Sequence, residues 1–184
     1  NKIIPYFKKI QSIHKDIEFE YKRINIGDYC ISYGDKILFI IERKTWKDLS
    51  SSIKDGRKNN VNKLLELRKE HPEIMILYLI EGKSRYPDNT KICRIPFKNL
   101  QSHLDHLMVR DNIHIIYSKN NEDTSKRLIE LIKNFCTLKP EVIQTFIGGS
   151  DSNEIKEEEP KQNIIKLSKK FIKSDMEIIY KDRK

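Results

Sequence analysis

Cysteine is scarce in this sequence, and the few cysteines are badly placed for acting together. Cys30, Cys93 and Cys136 are the three in the 184-residue chain, and they lie far apart. That spacing argues against a disulfide framework and against a cysteine-based zinc site. We therefore expect reduced thiols in a protein that works inside the cell and is not secreted.

Long apolar runs are lacking as well. No uninterrupted stretch of the chain approaches the roughly 20 residues that a membrane-spanning helix needs. The first residues also lack the basic, then apolar, then small-residue order of a secretory signal. The sequence therefore predicts a soluble protein.

Positive charge, in contrast, is abundant. The formal net charge is +9 and charged residues make up 34% of the chain. Residues 148–163 carry a net −3 and residues 164–184 a net +4, which leaves +8 on residues 1–147. Such basicity favours a polyanionic partner, either nucleic acid or an anionic membrane surface. The charge belongs to the part of the chain that the following patterns predict to be folded.

Short apolar runs alternate with helical patterns along that part. The runs predict strands buried on both faces of a sheet, at residues 36–42, 74–80 and 113–117. Apolar side chains recur at helical spacing in residues 61–68, 97–108 and 128–135. Before them we expect a helix near residues 3–13, strands at 18–24 and 28–33, and a hairpin turn at Gly34-Asp35. The fold class is therefore α/β, a central mixed sheet flanked by helices.

The composition changes after Ile147. Residues 148–163 are rich in glycine and acids and have no apolar periodicity, as is typical of a flexible linker. Residues 164–184 are basic and contain enough apolar side chains for a short docking helix, but too few for an independent domain. We thus expect one domain over residues 1–147, a linker, and a short basic, helical tail.

Three charged residues of the predicted hairpin suggest chemistry. Asp28 opens one arm, and Glu42 and Lys44 end the other with one residue between them. Side chains two apart on a strand share a face, so Glu42 and Lys44 project together while Arg43 points away. Carboxylates with a neighbouring lysine suit metal-assisted phosphodiester hydrolysis. Taken alone, however, an acid-x-lysine pair is more often a solvated strand end than a catalytic site.

The wider string is far more specific than that pair. It reads GDY at residues 27–29, IERK at 41–44, DL at 48–49, SI at 52–53 and DGR at 55–57. In this order it resembles the nuclease signature of the XPF/Hef family, a branch of the restriction-endonuclease-like fold. The resemblance continues through LIEG at residues 79–82 and extends over residues 1 to about 138.

The resemblance implies a role for each matching residue. Asp28 and Glu42 would ligate Mg²⁺ or Mn²⁺, with a backbone carbonyl beside Glu42, and Lys44 would orient or activate the attacking water. Arg43 and Asp48 would complete the electrostatics of the site. DNA contacts are expected from Lys54, Arg57 and Lys58, although Asp48 and Arg57 also suit a helix-surface ion pair. His103 and His106, three apart on a predicted helix, are expected at a surface or interface.

Two parts of the family pattern are missing from the given sequence. Members usually begin with a strand that ends in a D-x-R-E string, and the chain starts at residues that resemble the helix after it. We therefore expect either that the given sequence is truncated before this first strand and its additional acid, or that the strand is missing. The tandem helix-hairpin-helix module that often follows the nuclease domain has no counterpart in the tail either.

Taken together, the resemblance implies a metal-dependent endonuclease that cuts flap, fork or junction DNA in repair, recombination or replication. Its expected location is the nucleus, or a cytoplasmic replication site if the protein is viral. Its expected partners are branched DNA and a second subunit, a homodimer before a heterodimer, without a membrane. The apolar stripes at residues 97–108 and 128–135 are expected to be partly uncovered and to form the dimer contact. Two alternatives stay open: a non-catalytic DNA-binding subunit and a Holliday-junction resolvase.

Overall fold

The computed structural model describes residues 3–13, 17–20, 24–33, 36–54, 59–147 and 165–168. Among these residues, no helix is both long and apolar enough to cross a membrane. The expected turn at 34–35, the linker at 148–163 and most of the tail lie outside the described residues. So do Arg57 and Lys58, two of the three expected DNA contacts.

The described elements alternate between helices and strands, as the apolar pattern predicts. The helices are α1 (Ile4–Gln11), α2 (Trp46–Lys54), α3 (Asn59–Glu70), α4 (Phe97–Asp111), α5 (Asn121–Cys136) and α6 (Pro140–Ile147). The strands are β1 (Ile17–Phe19), β2 (Tyr29–Tyr33), β3 (Lys36–Thr45), β4 (Met75–Glu81), β5 (Lys91–Ile92), β6 (Ile95–Pro96), β7 (His114–Ser118) and β8 (Ile165–Ser168). The expected strand at 18–24 is shorter than predicted, because β1 ends at Phe19.

A six-stranded mixed sheet forms the centre of the fold, in the order β1-β8-β2-β3-β4-β7. Strands β3, β4 and β7 run parallel to one another, and β2 pairs antiparallel with β3 as the expected hairpin. Strands β5 and β6 form a separate two-stranded sheet just before α4. The predicted α/β class with a central mixed sheet is therefore confirmed.

Each face of the sheet has its own hydrophobic core. The first core contains the side chains of alternate positions of β3 and β4, such as Ile40 and Ile80, with buried residues of α2, α3 and α4. The second contains the intervening positions, such as Ile41 and Leu79, with buried residues of α1 and α5. The two-residue period of the strands thus decides which helices each side chain of β3 meets.

The apolar stripes expected at the dimer contact instead fill these two cores. On α4, Phe97, Leu100, Leu104 and Leu107 are buried, and on α5 the buried set is Leu128, Ile129, Ile132 and Phe135. Most of each stripe is therefore covered by its own sheet, while Met108, at the end of the 97–108 stripe, is 49% exposed. Val109 and Tyr117 are further exposed apolar side chains.

The four described residues of the tail form a strand rather than the expected helix. Strand β8 lies between β1 and β2, parallel to the first and antiparallel to the second. The sequence over residues 165–168 alternates apolar and polar side chains, which is the two-residue period of a strand. An available sheet edge supplies hydrogen-bond partners for the backbone of these residues, whereas an isolated short helix is only marginally stable in water.

Candidate active site

Glu42 and Lys44 lie near the end of β3 and project on the same face of the sheet. Their residues are only 4% and 7% exposed, so this pair is not a solvated strand end. Lys44 Nζ lies 3.0 Å from Glu42 Oε1, within hydrogen-bond and ion-pair distance. Dehydrating two charges costs several kcal/mol per ion before their attraction is counted. Burying this pair at a strand end therefore costs free energy, which favours a functional role for it over a purely structural one.

Asp28 is held beside this pair by the start of the hairpin. Its backbone N–H donates to Ile41 O over 2.7 Å, and its Oδ2 accepts from the backbone N–H of Arg43 over 2.9 Å. The preceding Gly27 has a φ of +76°, and a Cβ there would meet Ile40 Cγ2 at 2.8 Å. Only glycine allows the chain to approach β3 this closely, so Gly27 sets where Asp28 starts.

Tyr78 is a site residue that the sequence patterns did not identify. It opposes Glu42 in the parallel ladder between β3 and β4, and it is 1% exposed. Burial raises the pKa of the Tyr78 phenol, and the charges of Glu42 and Asp28 raise it further. The phenol therefore lies close to both carboxylates. A polar tyrosine inside the apolar run at 74–80 was the available signal.

Asn60, in the first turn of α3, is a second residue that the patterns missed. Its Nδ2 donates to Glu42 Oε1 over 2.5 Å, so the same carboxylate oxygen receives both the amide and the Lys44 ammonium. Nothing local in the sequence connects Asn60 with Glu42, because the contact depends on how α3 packs on the sheet.

Arg43 points to the opposite face of the sheet, as the strand period predicts. Its guanidinium donates to both carboxylate oxygens of Glu81, from Nε over 2.8 Å and from Nη2. Burial lowers the pKa of Arg43, but the hydrogen bond and charge of Glu81, with Tyr29 and Asp28, raise it by more. Arg43 is thus a fixed cation within a half-buried ion pair and is turned away from Glu42 and Lys44.

Asp48 closes the start of α2. Its Oδ2 accepts from Thr45 Oγ1 over 2.8 Å and from Thr45 N over 3.3 Å, while its own N–H donates to Thr45 Oγ1 over 3.2 Å. This reciprocal arrangement is a capping box, which satisfies the free N–H groups of a helix start. Asp48 therefore has a structural task next to the site. Lys54, the last residue of α2, is exposed.

Lys44 also faces a cleft of about 480 Å³ between α2, α3 and α4. Its walls combine apolar side chains such as Leu49 and Leu107 with polar ones; the polar set is Lys44, Ser52, Asn60, Asn62, Tyr78, His103, His106, Arg110 and Asp111. Burial lowers the pKa of His103, and Arg110 and His106 lower it further. The two histidines expected at a surface or interface thus line the space in front of Lys44.

The donor set fits a small hard cation. The structure offers the carboxylates of Asp28 and Glu42, and among the described residues no group of three or more histidines, cysteines or acids could hold a metal ion. Mg²⁺ is usually bound through one or two carboxylates and keeps several waters. Oxygen ligands without sulfur or imidazole are also what Mg²⁺ and Mn²⁺ prefer over softer ions. The carboxylates of Asp28 and Glu42 satisfy that requirement, and Glu42 is bonded to Lys44 and Asn60, which line the cleft.

Comparison with known sequences gives a family match. The family described as "ERCC4 domain" matches residues 3–131. The ERCC4 domain-containing protein EP364R of African swine fever virus, from a Kenyan pig isolate, is 34% identical over 157 residues. That alignment covers 81% of this chain and 43% of the viral protein. EP364R of the Badajoz strain is 34% identical over 148 residues, which are 80% of this chain and 39% of the relative. The chain therefore spans about two fifths of these relatives.

Comparison with solved structures gives weaker likenesses. XPF from Aeropyrum pernix is 21% identical with a TM-score of 0.48, over 68% of this chain and 56% of that one. XPF from Aeropyrum pernix in complex with DNA is 21% identical with a TM-score of 0.45, over 70% and 62% of the two chains. Both TM-scores are below 0.5, so the family of this chain rests on the sequence match to the ERCC4 domain.

Proposed function

Because the chain belongs to the ERCC4 domain family of structure-specific DNA nucleases, we propose that it is a divalent-metal-dependent endonuclease that hydrolyses a phosphodiester bond in branched DNA. Asp28, Glu42 and Lys44 carry the chemistry in this proposal. Flap, fork or junction DNA is the substrate class, in repair, recombination or replication.

One observation supports the proposal above the others. Glu42 and Lys44 are a buried ion pair, 3.0 Å apart, and Lys44 lines an open cleft of about 480 Å³. Removing two charges from water is unfavourable unless their attraction and further hydrogen bonds offset the cost, so a buried pair contributes little net stability to a fold. A site that excludes water strengthens the electrostatic interactions on which charge stabilisation depends. The buried pair of Glu42 and Lys44, next to an accessible cleft, meets that description.

Asp28 and Glu42 would hold Mg²⁺ or Mn²⁺, and the bound metal would supply Lewis-acid stabilisation and an acidified water. The chain's own residues then have separate tasks. Asn60 and Lys44 hold the Glu42 carboxylate in one orientation through its Oε1. The Lys44 ammonium faces the cleft, where it can stabilise negative charge that develops on a phosphate or orient a water.

In the proposed function, the basic charge of the chain and the groups that line the cleft both contribute to DNA binding. Residues 1–147 carry a net +8, and contacts with phosphates dominate the affinity of proteins for DNA. Lys54, Arg57 and Lys58 stay proposed phosphate contacts near the end of α2. The amide and imidazole groups of Asn60, Asn62, His103 and His106 supply further hydrogen-bonding groups along the cleft for the proposed DNA substrate.

The test is cleavage of labelled flap, fork, four-way and linear duplex DNA by the full chain, with Mg²⁺ and with EDTA. We expect cleavage of branched DNA only when the metal is present. Paired symmetric cuts confined to the four-way substrate would identify a Holliday-junction resolvase instead. Tight binding without any cleavage in Mg²⁺ or Mn²⁺ would identify a non-catalytic binding subunit.

A further inference from the structure

Glu81 occupies a position that the catalytic chemistry does not use. It is the last residue of β4, and its side chain is 11% exposed. Both of its carboxylate oxygens bind Arg43, which is on the face of the sheet away from Glu42 and Lys44. A largely dehydrated carboxylate must be satisfied by partners, so this contact is specified rather than incidental.

A residue of helix α5 also holds the Glu81 carboxylate. Thr124, which is 0% exposed, donates from Oγ1 to Glu81 Oε2 over 2.9 Å. The same hydroxyl lies 2.6 Å from Ser118 Oγ at the end of β7, and Ser118 is also buried. Glu81 is thus held by a connected set of buried side chains from two elements.

Arg43 connects this set with the proposed metal ligand. Its side chain binds Glu81, while its backbone N–H donates to Asp28 Oδ2 over 2.9 Å. A residue that is fixed at its side chain holds its peptide group more rigidly, and that group fixes one oxygen of Asp28. The four residues therefore form a continuous path from α5 through β4 and β3 to Asp28.

We propose that Glu81 is a positioning residue: by fixing Arg43 it holds the Asp28 carboxylate in place for the metal, and Thr124 fixes Glu81 in turn. The proposal rests on the function proposed above, in which Asp28 is a metal ligand. Residues that orient metal ligands through hydrogen bonds commonly change metal affinity when they are replaced. An ordinary structural ion pair would change the stability of the fold and leave metal affinity unaltered.

The experiment measures Mn²⁺ affinity of the full chain by calorimetry, together with cleavage of a flap substrate and DNA binding in EDTA. For Glu81→Gln we expect Mn²⁺ affinity and cleavage to fall by about 10- to 100-fold, the usual range for such residues. DNA binding in EDTA should stay within about twofold of wild type, because the basic surface is unchanged.

Two matched variants at Thr124 test the role of its hydroxyl as a hydrogen-bond donor to Glu81. Thr124→Ser keeps the donor to Glu81 and should bind Mn²⁺ as wild type does. Thr124→Val keeps the shape and removes the donor, so its Mn²⁺ affinity should lie between those of wild type and Glu81→Gln. These variants also serve if Glu81→Gln fails to fold.

The double variant Arg43→Met with Glu81→Gln tests whether Glu81 acts through Arg43. We expect it to bind Mn²⁺ as weakly as Arg43→Met alone, since the path is already broken. A further loss in the double variant overturns the proposal. So does unchanged Mn²⁺ affinity in Glu81→Gln and Thr124→Val, or a wild-type chain that binds no Mn²⁺. If wild type binds Mn²⁺ but cuts no DNA, and Glu81→Gln weakens that binding, the positioning role stands and the proposed nuclease activity fails.

Discussion

At the scale of single residues, the two carboxylates that would hold the metal share a neighbour, Tyr78. Burial raises the pKa of the Tyr78 phenol, and the charges of Glu42 and Asp28 raise it further. Replacing either carboxylate by its amide keeps the shape and removes the charge. The two substitutions therefore test the metal site without enlarging or emptying it.

We expect Asp28→Asn and Glu42→Gln each to abolish cleavage in Mg²⁺ while DNA binding in EDTA stays intact, because the ligands are lost but the basic surface remains. Exposed Glu66 on α3 offers a matched control, and Glu66→Gln should cleave as wild type does. Cleavage rates and binding isotherms on one flap substrate decide the outcome. Wild-type turnover in both amide variants would remove Asp28 and Glu42 from the site.

Tyr78 gives a prediction about pH. Burial and the two carboxylates raise the pKa of Tyr78, so the folded state holds the phenol proton more tightly than the unfolded state does. The stability that this provides is present below the ordinary tyrosine pKa of about 10 and is lost progressively as pH rises above it. We expect the free energy of unfolding to fall less between pH 9 and pH 11 in Tyr78→Phe than in wild type. Urea unfolding at several pH values measures this, and identical slopes would contradict it.

At the scale of elements, the hairpin of β2 and β3 was the most predictable part of the molecule. The apolar run at 36–42 predicted strand β3, and the two-residue strand period put Glu42 and Lys44 on one face with Arg43 on the other. Tyr78 and Asn60 were not predictable in this way. Each comes from a separate element, and its contact with Glu42 depends on sheet order and helix packing that local periodicity does not encode.

Local periodicity was also too little to predict the role of the α4 and α5 stripes and the structure of residues 165–168. The stripes of α4 and α5 are apolar whether a helix packs on its own sheet or on a partner, so periodicity could not tell the core from an interface. For residues 165–168, a short apolar stretch fitted a helix and a strand about equally well, and the available sheet edge decided between them.

Helix α2 provides a test of what Asp48 does. Loss of a capping interaction costs about 1 kcal/mol, so Thr45→Ala and Asp48→Ala should lower the free energy of unfolding by similar amounts. Asp48 is also a proposed member of the site, and we therefore expect Asp48→Ala to slow cleavage more than Thr45→Ala does. Denaturant unfolding and cleavage rates of the two variants are compared directly. Equal rates would assign Asp48 to the cap alone.

At the scale of the whole molecule, the tail contributes to the sheet. Strand β8 supplies the described pairing of β1 and covers the outer edge of β2. Truncation after Asn163 removes that strand, so we expect a lower melting temperature and an exposed edge that promotes aggregation. The control is the full-length chain with three substitutions in the linker, which should melt as wild type does. A truncated chain with the melting temperature of wild type would show that β8 adds nothing to stability.

The dimer stays a prediction, and the apolar side chains that are left exposed are the candidates for its contact. Met108 and Val109 at the end of α4, with Tyr117 on the edge strand β7, are exposed by 49%, 82% and 36%. Exposed large apolar side chains are candidates for an interaction surface. We expect light scattering to show a homodimer at high micromolar concentration and Val109→Asp to shift it to monomer. A monomeric wild type at that concentration would contradict the prediction.

The pairing of Glu42 with Lys44 has a consequence for how the protein can be handled and kept ready. Since the ammonium neutralises the carboxylate inside the fold, the chain does not depend on a bound cation to compensate a buried negative charge. Folding and metal loading are then separate events, unlike those of small domains that stay unfolded until a metal arrives. If the proposed function holds, the protein can be synthesised, stored and transported without the metal. Cleavage would then need the ion and the DNA together, without any refolding.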